Sequence, residues 1–157
     1  MGDRVSRKRS AGLLLFRTSG EELEVLLAHP GGPYWRRRDA GAWTIPKGQV
    51  GLGETDMAAA RREFAEELGC APPGDLLPLG EAKQPGGKLV VIFAVRGEWQ
   101  PQHLSSNHFE LEWPPRSGRL QSFPEVDRAT WFSIGAAKEK LLKGQLVFLE
   151  RLAEALR

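Results

Sequence analysis

Short apolar runs separated by glycine- and proline-rich turns dominate most of the chain, a pattern typical of β-strands. Ser10–Arg17 and Leu23–Pro30 are two such runs, and the turn sequence TSGEE between them predicts a β-hairpin. Further strands are predicted at Leu76–Lys83, Lys88–Trp99 and Val126–Ser133. The run from Lys88 is long and apolar enough for a central position in a sheet.

Apolar residues at helical spacing predict one helix in the middle of the chain and more at its end. Thr55 or Asp56 can cap the first helix, and Gly69 is well placed to end it. Four apolar positions of this helix would face the core: Met57, Ala60, Phe64 and Leu68. Residues 134–157 predict one or two amphipathic helices. This order of elements indicates an α+β or α/β fold with a mixed sheet between helices.

Three segments show neither the two-residue period of a strand nor the 3.6-residue period of a helix. Gly31–Gly41 (GGPYWRRRDAG) is a long loop rich in glycine, arginine and aromatic residues. Long loops in compact domains are often functional. Ala42–Pro46 is a short extended piece that ends at the proline. The segment after Trp99 is mostly loop, with one short extended piece at Phe109–Trp113.

Composition and charge narrow the class of protein. The 157 residues suit one domain, 1–157, in which the basic residues 1–9 would form a flexible arm. With 22 basic and 20 acidic residues, the chain is too balanced to predict nucleic-acid binding. The single cysteine excludes an internal disulfide and fits a reducing, cytoplasmic location. No apolar run approaches membrane-spanning length, so no association with a membrane is expected.

The predicted central helix carries three glutamates on one face. Glu63, Glu66 and Glu67 stand at positions i, i+3 and i+4, a spacing at which like charges repel. The arrangement makes sense if a cation binds there, because Mg²⁺ and Mn²⁺ prefer carboxylate oxygens. Arg62 could hold one carboxylate, and a glycine-rich loop brings Glu54 towards the same place. The alternative is a charged, solvated helix face.

The full spacing resembles the Nudix box. Gly48 is followed by five residues, Glu54, seven residues and then REFAEELG, and Cys70 completes the match. Phe64 and Cys70 are the loose positions, since Phe64 is larger than the usual aliphatic residue and Cys70 is a small apolar stand-in. The chain is therefore identified as a member of the Nudix hydrolase family, which implies an α/β/α sandwich over most of its length.

The resemblance implies hydrolysis of a nucleoside diphosphate linked to another group, with Mg²⁺ or Mn²⁺. By position, the metal would be held by the Gly48 carbonyl and three carboxylates: Glu63, Glu66 and Glu67. Arg62 would orient Glu63, and Glu54 would support the metal shell or the water. Either Glu63 or Glu67 would act as base.

A later acidic ligand is common in the family. Glu125, in FPEVDRATWF, is the first candidate for this ligand, with Glu110 and Glu112 as weaker ones. The alternative for Glu125 is an ordinary charge at a strand edge.

Residues outside the box are candidates for substrate binding. AWTIPKGQ resembles a W-x-x-P-K-G motif of asymmetrical dinucleoside tetraphosphate hydrolases and their diphosphoinositol-polyphosphate relatives. Lys47 would then bind a phosphate oxygen, whereas Trp43 is either a pocket wall or part of the core. Lys88 heads a strand similar to one in those hydrolases, and its alternative is an exposed lysine.

Two loops supply further candidates. Tyr34 and Trp35 would stack on a purine, and Arg36–Arg38 would pair with phosphates. The alternative is a surface loop with solvated arginines. Phe109, in the second long loop, would clamp a base. His29 is expected to be structural.

These features lead to one main hypothesis, a Mg²⁺-dependent pyrophosphohydrolase acting on a small nucleotide, specifically a dinucleoside polyphosphate such as diadenosine tetraphosphate. A second hypothesis is a pyrophosphohydrolase for (oxidised) nucleoside triphosphates. Diphosphoinositol polyphosphates and capped RNA are further substrates to consider. A non-catalytic nucleotide sensor is the rival from another class, and it is disfavoured because every carboxylate of the box is present.

Overall fold

The computed structural model describes residues 9–70 and 74–157. The basic arm predicted at residues 1–9 lies outside this range except for its last residue. Arg9 does not belong to an arm, because it begins the first strand and pairs with Asp56 through two hydrogen bonds of 2.9 and 2.7 Å.

Eight strands and three α-helices make up the described chain. In chain order they are β1 (Arg9–Ser19), β2 (Glu22–Pro30), β3 (Lys47–Gln49), α1 (Asp56–Leu68), β4 (Leu77–Lys83), β5 (Leu89–Arg96), β6 (His108–Glu112), β7 (Leu120–Pro124), β8 (Val126–Ser133), α2 (Ile134–Lys140) and α3 (Leu146–Ala155). Two short 3₁₀ turns at Pro101–His103 and Lys143–Gln145 complete the elements. None of the helices in the described ranges is long and apolar enough to cross a membrane.

The main sheet has the order β4-β5-β1-β2-β8, and β3 pairs with the start of β1. The β1–β5 pair is parallel, and the other pairs are antiparallel. The predicted hairpin of β1 and β2 and the mixed sheet are both confirmed. Strand β1 lies at the centre because Leu13–Leu15 are apolar on both faces and fully buried.

Helices cover both faces of this sheet, so the predicted sandwich is confirmed. Alternate residues of β1 and β5 point to opposite faces, as the period of a strand requires. On one face Leu13 and Val91 pack with Phe64 and Leu68 of α1. The other face packs against α2 and α3. Phe64, the oversized position of the box, is fully buried, which stabilises the fold by roughly 1.5–3 kcal/mol.

Helix α1 begins and ends as its sequence predicts. The Thr55 side chain accepts a hydrogen bond from the Ala58 N–H, and Gly69 ends the helix with a φ of 100°. The prediction that Met57 faces the core is wrong, since 44% of this residue is exposed. It lies in the first turn, which is not packed on the sheet. Ala59 shares the buried stripe with the three correctly predicted residues.

The segment after β5 differs most from expectation. In place of one extended piece, β6 and β7 form a separate two-stranded hairpin in which Phe109 lies opposite Phe123. The polar sequence between the strands hides this pairing. Strand β3 also begins at Lys47, after the predicted extended piece, because Gly12 of β1 leaves room for its backbone. Cys70 is exposed, so it is not an apolar packing residue.

Candidate functional site

Gly48 lies directly against the side chain of Glu63. A methyl group at Gly48 would meet the Glu63 carboxyl carbon and one of its oxygens at 2.0 Å. Only glycine therefore lets β3 approach the helix this closely. The Glu63 side chain is only 14% exposed, and its pKa is raised, chiefly by burial.

Arg62 joins three of the glutamates. Its Nε and Nη2 donate to the two oxygens of Glu54 at 2.7 and 2.9 Å, which is a bidentate pair. Its Nη1 donates to Glu63 at 2.9 Å and to Glu66 at 3.2 Å. Nη2 also donates to the Gln49 carbonyl at 2.9 Å, so the guanidinium is held on both sides. The prediction that Arg62 orients Glu63 agrees with this geometry.

Glu54 is joined to the other carboxylates of the box through Arg62. Both of its oxygens are used by Arg62, and one also accepts from the Gly51 N–H at 2.9 Å. These hydrogen bonds, the Arg62 bond first, lower the pKa of Glu54 to about 2. A carboxylate held in this way is a poor proton acceptor, so its place is that of a positioning residue.

Glu67 has the opposite environment. Burial, followed by the neighbouring charge of Glu63, raises the pKa of Glu67 to about 8. The charge of Glu125 acts in the same direction on both Glu63 and Glu67. Glu125 therefore lies beside the carboxylates of the box, although it is more than fifty residues away in sequence. We name Glu54, Glu63, Glu66, Glu67 and Glu125, together with Arg62, the carboxylate site.

Two lysines adjoin this site. Burial lowers the pKa of Lys47, and the charge of Lys88 acts in the same direction, so the two ammonium groups are neighbours. Glu67 and Glu63 oppose this shift, and the Lys47 N–H also donates to Glu67. The two lysines predicted to bind phosphate thus lie together at one edge of the carboxylate site.

The segment Gly31–Gly41, which we name the arginine loop, is attached to the carboxylate site at its first residue. The Gly31 N–H donates to the Glu125 carbonyl at 2.9 Å, and a methyl group on Gly31 would meet the Pro124 carbonyl oxygen at 2.0 Å. Further along, Tyr34 is 58% exposed, and its ring lies edge-on to Trp113 with centroids 5.3 Å apart. The loop and the β6–β7 hairpin therefore form one surface.

Side chains within this surface differ in accessibility. Phe109 packs between Phe123 and Gly32, where a methyl group would meet its ring at 2.9 Å, so most of its contacts are with protein. Trp35 is partly buried below the guanidinium of Arg38, at 5.5 Å. Arg36 is exposed and available for an anion.

His29 holds the arginine loop from below. It is fully buried, with Nδ1 2.8 Å from an Asp127 oxygen and Nε2 2.7 Å from the Arg38 carbonyl. Its expected structural role agrees with this geometry. The sequence offered no signal for this partner, because only the turn of the loop brings the Arg38 carbonyl back to His29.

Trp43 lies in the core, which agrees with its core alternative rather than with a place in the wall of the substrate pocket. Trp43 is 3% exposed and lies on the face of the sheet opposite α1, edge-on to Phe132. Its Nε1 donates to Asp39 at 2.8 Å, so the indole has no free polar group. Its place is in the core below the arginine loop.

The family model of the NUDIX domain matches residues 6–152. The chain belongs to the Nudix family. An RNA pyrophosphohydrolase from Caulobacter vibrioides is 32% identical over an alignment that covers 76% of this chain and 86% of that protein. This Nudix chain is therefore a hydrolase that acts on phosphoric anhydrides.

Solved structures share the fold. The Nudix domain of Shewanella oneidensis NrtR, in complex with ADP ribose, superposes with a TM-score of 0.64 at 18% identity and covers 95% of this chain and 88% of that one. A C. elegans Ap4A hydrolase superposes with a TM-score of 0.62 at 20% identity and covers 94% and 97%. At these identities the likeness describes the architecture of the Nudix fold.

The donor set fits a divalent metal. Within residues 9–70 and 74–157, no three His, Cys, Asp or Glu side chains form a ready metal-binding group. Glu63 and Glu66 are turned towards Arg62. The partly buried carboxylates Glu63 and Glu67 nevertheless lie side by side with Glu125, and clustered carboxylate oxygens are the ligands that Mg²⁺ and Mn²⁺ prefer. A cation would offset the mutual repulsion of these carboxylates.

Proposed function

We propose that this Nudix hydrolase is a Mg²⁺- or Mn²⁺-dependent pyrophosphohydrolase whose substrate is a dinucleoside polyphosphate. The observation that carries the proposal is the juxtaposition of a partly buried carboxylate pair, Glu63 and Glu67, with two lysines, Lys47 and Lys88. Carboxylates hold a metal and ammonium groups hold phosphate oxygens, so a polyphosphate chain fits between them.

The metal would be held by Glu63, Glu66, Glu67 and Glu125 with the Gly48 carbonyl. When bound, the metal would neutralise charge on the phosphates and lower the pKa of the attacking water. The protein's own residues then orient the reaction. Arg62, held by Glu54, fixes Glu63 and Glu66, and Glu63 or Glu67 accepts the proton of the attacking water.

The arginine loop supports a long, charged substrate. Its start is bonded to Glu125, and it carries the exposed Tyr34 ring and Arg36 away from the carboxylate site. A dinucleoside polyphosphate has a second nucleoside beyond the cleaved anhydride, which would contact Tyr34, Trp35 and Arg36, with Phe109 supporting them. The Ap4A hydrolase among the structural neighbours agrees with this substrate class.

A second candidate substrate is RNA with a 5′-triphosphate, favoured by the relative named RNA pyrophosphohydrolase. Such an end presents the same phosphoric anhydrides to Lys47 and Lys88, followed by a nucleotide chain. Nucleoside triphosphates, including oxidised ones, are the third candidate substrate. We also propose a cytoplasmic location, since the exposed thiol of Cys70 suits a reducing compartment.

Product analysis tests the proposal. Purified protein with Mg²⁺ is assayed against diadenosine tetraphosphate, nucleoside triphosphates including 8-oxo-dGTP, a short 5′-triphosphorylated RNA, ADP-ribose and a diphosphoinositol phosphate. We expect the tetraphosphate to be cleaved fastest, to ATP and AMP. Dominant release of pyrophosphate from RNA or from a mononucleotide would replace the proposed substrate with the corresponding alternative.

A further inference from the structure

The backbone of Glu125 is bonded to two separate segments of the chain. Its N–H donates to the Asn107 carbonyl at 2.8 Å, and its carbonyl accepts from Gly31 at 2.9 Å. The Asn107 N–H in turn donates to the Glu66 carbonyl of α1 at 2.8 Å. Asn107 therefore connects the late glutamate directly to the helix that carries the box, and this connection determines where the Glu125 side chain starts.

Ser106 is the side chain that braces this connection. Its hydroxyl oxygen accepts from the Val126 N–H at 3.0 Å and donates to the Asn107 carbonyl at 2.9 Å. The same Asn107 carbonyl accepts from Glu125. One hydroxyl thus contacts the residue after Glu125 and the residue that Glu125 binds. The neighbouring Ser105 is exposed, and its hydroxyl makes no hydrogen bond within the described residues.

The backbone of Glu125 is attached at both its N–H and its carbonyl. The Val126–Ser106 bond adds a further attachment, through a side chain, one residue along the chain. Two adjacent attachments fix the direction of the chain as well as its position. The Glu125 side chain that starts here lies close enough to Glu63 and Glu67 for its charge to act on both carboxylates.

We propose that Ser106 is a positioning residue that places Glu125 against the carboxylate pair and so determines the affinity of the site for divalent metal. The inference rests on the proposed function, because it takes Glu125 as a metal ligand. Ser106 itself contacts neither metal nor substrate. Partners that orient metal ligands typically change metal affinity by about 10- to 100-fold when they are removed. Ser106 holds the backbone and not the metal ligand itself. We therefore expect Ser106→Ala to weaken metal binding by an amount near the lower end of this range, about tenfold.

The test measures metal binding directly. Mn²⁺ is titrated into the protein and free Mn²⁺ is followed by electron paramagnetic resonance, for wild type, Ser106→Ala, Ser106→Thr and the matched control Ser105→Ala. We expect Ser106→Ala to weaken binding about tenfold, while Ser106→Thr, which keeps a hydroxyl, and Ser105→Ala stay within about twofold. Unchanged Mn²⁺ affinity in Ser106→Ala, or equal losses in both alanine variants, would overturn the proposal.

A double-mutant cycle separates positioning from a general loss of stability. If Ser106 acts through Glu125, then Ser106→Ala should have no further effect on Mn²⁺ affinity once Glu125 is replaced by glutamine. Additive losses in the Ser106→Ala/Glu125→Gln double variant would show that Ser106 acts elsewhere. Because Mn²⁺ binding needs no turnover, a wild-type protein that binds metal but cleaves no dinucleoside polyphosphate would reject the proposed substrate and leave the role of Ser106 intact.

Discussion

The carboxylate site and the arginine loop are neighbours built in opposite ways. In the carboxylate site, Arg62 bonds to Glu54, Glu63, Glu66 and the Gln49 carbonyl, all within a stretch of fewer than twenty residues. The arginine loop is held by His29 of the preceding strand β2 and by residues far along the chain, Trp113 and Glu125. Arg36 and Arg37 have no side-chain partner in the part of the chain that the structure describes.

The two regions would therefore serve different purposes, the carboxylate site the reaction and the arginine loop the recognition of the substrate. Short-range bonds within one loop and one helix fix Glu54, Glu63 and Glu66, and of the proposed metal ligands Glu125 depends on more distant segments. The surface that meets the remainder of the substrate is fixed by long-range packing and keeps its charged ends free. Substitutions in the first region should therefore change turnover, and substitutions in the second should change substrate affinity.

The largest effect is expected for Glu67→Gln. The variant removes a proposed metal ligand and one of the two candidate bases, so turnover of the preferred substrate should fall at least about 1000-fold. The fold should persist, because glutamine has nearly the same shape. Steady-state rates with saturating Mg²⁺, alongside circular dichroism, measure both. Turnover near the wild-type rate would show that the carboxylate site is assigned to the wrong residues.

Arg62→Lys should have the next largest effect. Lysine keeps the charge but loses the planar fork that bonds to Glu54 and orients Glu63, so kcat should fall about 10- to 100-fold. Arg61→Lys, on the adjacent position of the same helix, is the matched control and should stay near wild type. Equal losses in the two variants would mean that helix stability rather than carboxylate orientation was measured.

A pair of substitutions at His29 tests the second region. Glutamine can place its amide where Nε2 contacts the Arg38 carbonyl, whereas asparagine reaches only the Nδ1 position beside Asp127. His29→Asn should therefore release the arginine loop and raise KM about three- to tenfold with little change in kcat. His29→Gln should raise KM less. A fall in kcat with KM unchanged in either variant would contradict the division between the two regions.

The smallest effect is on stability and concerns metal-free protein. Since folding raises the pKa of Glu67 to about 8, the unfolded chain binds fewer protons there between about pH 4.5 and 8, and stability falls as pH rises through that window. Glu67→Gln removes this loss. At pH 8 in chelator, its Tm should exceed that of wild type by about 3 °C or more, and at pH 5 the difference should shrink. Thermal melts at both pH values measure this, and a constant difference would argue against a buried, ionising Glu67.

The sequence predicted the parts of the molecule that depend on neighbours along the chain. The spacing of Gly48, Glu54 and the helical glutamates was sufficient, because one loop and one helix bring them together. It did not reveal Ser106 or the Tyr34–Trp113 contact, since both depend on where the β6–β7 hairpin folds back. Met57 was misplaced because a helical period locates a stripe but not the turn at which packing starts.

The central place of β1 has a consequence for the folding of the chain during its synthesis. Strand β1, residues 9–19, has its parallel partner in β5, residues 89–96, so the middle of the sheet cannot close until β5 has been synthesised. At roughly 5–20 residues per second, the apolar run Leu13–Leu15 waits several seconds for β5, with β2, β3 and α1 as its earlier partners. During that interval the nascent chain exposes apolar surface of the kind that chaperones bind.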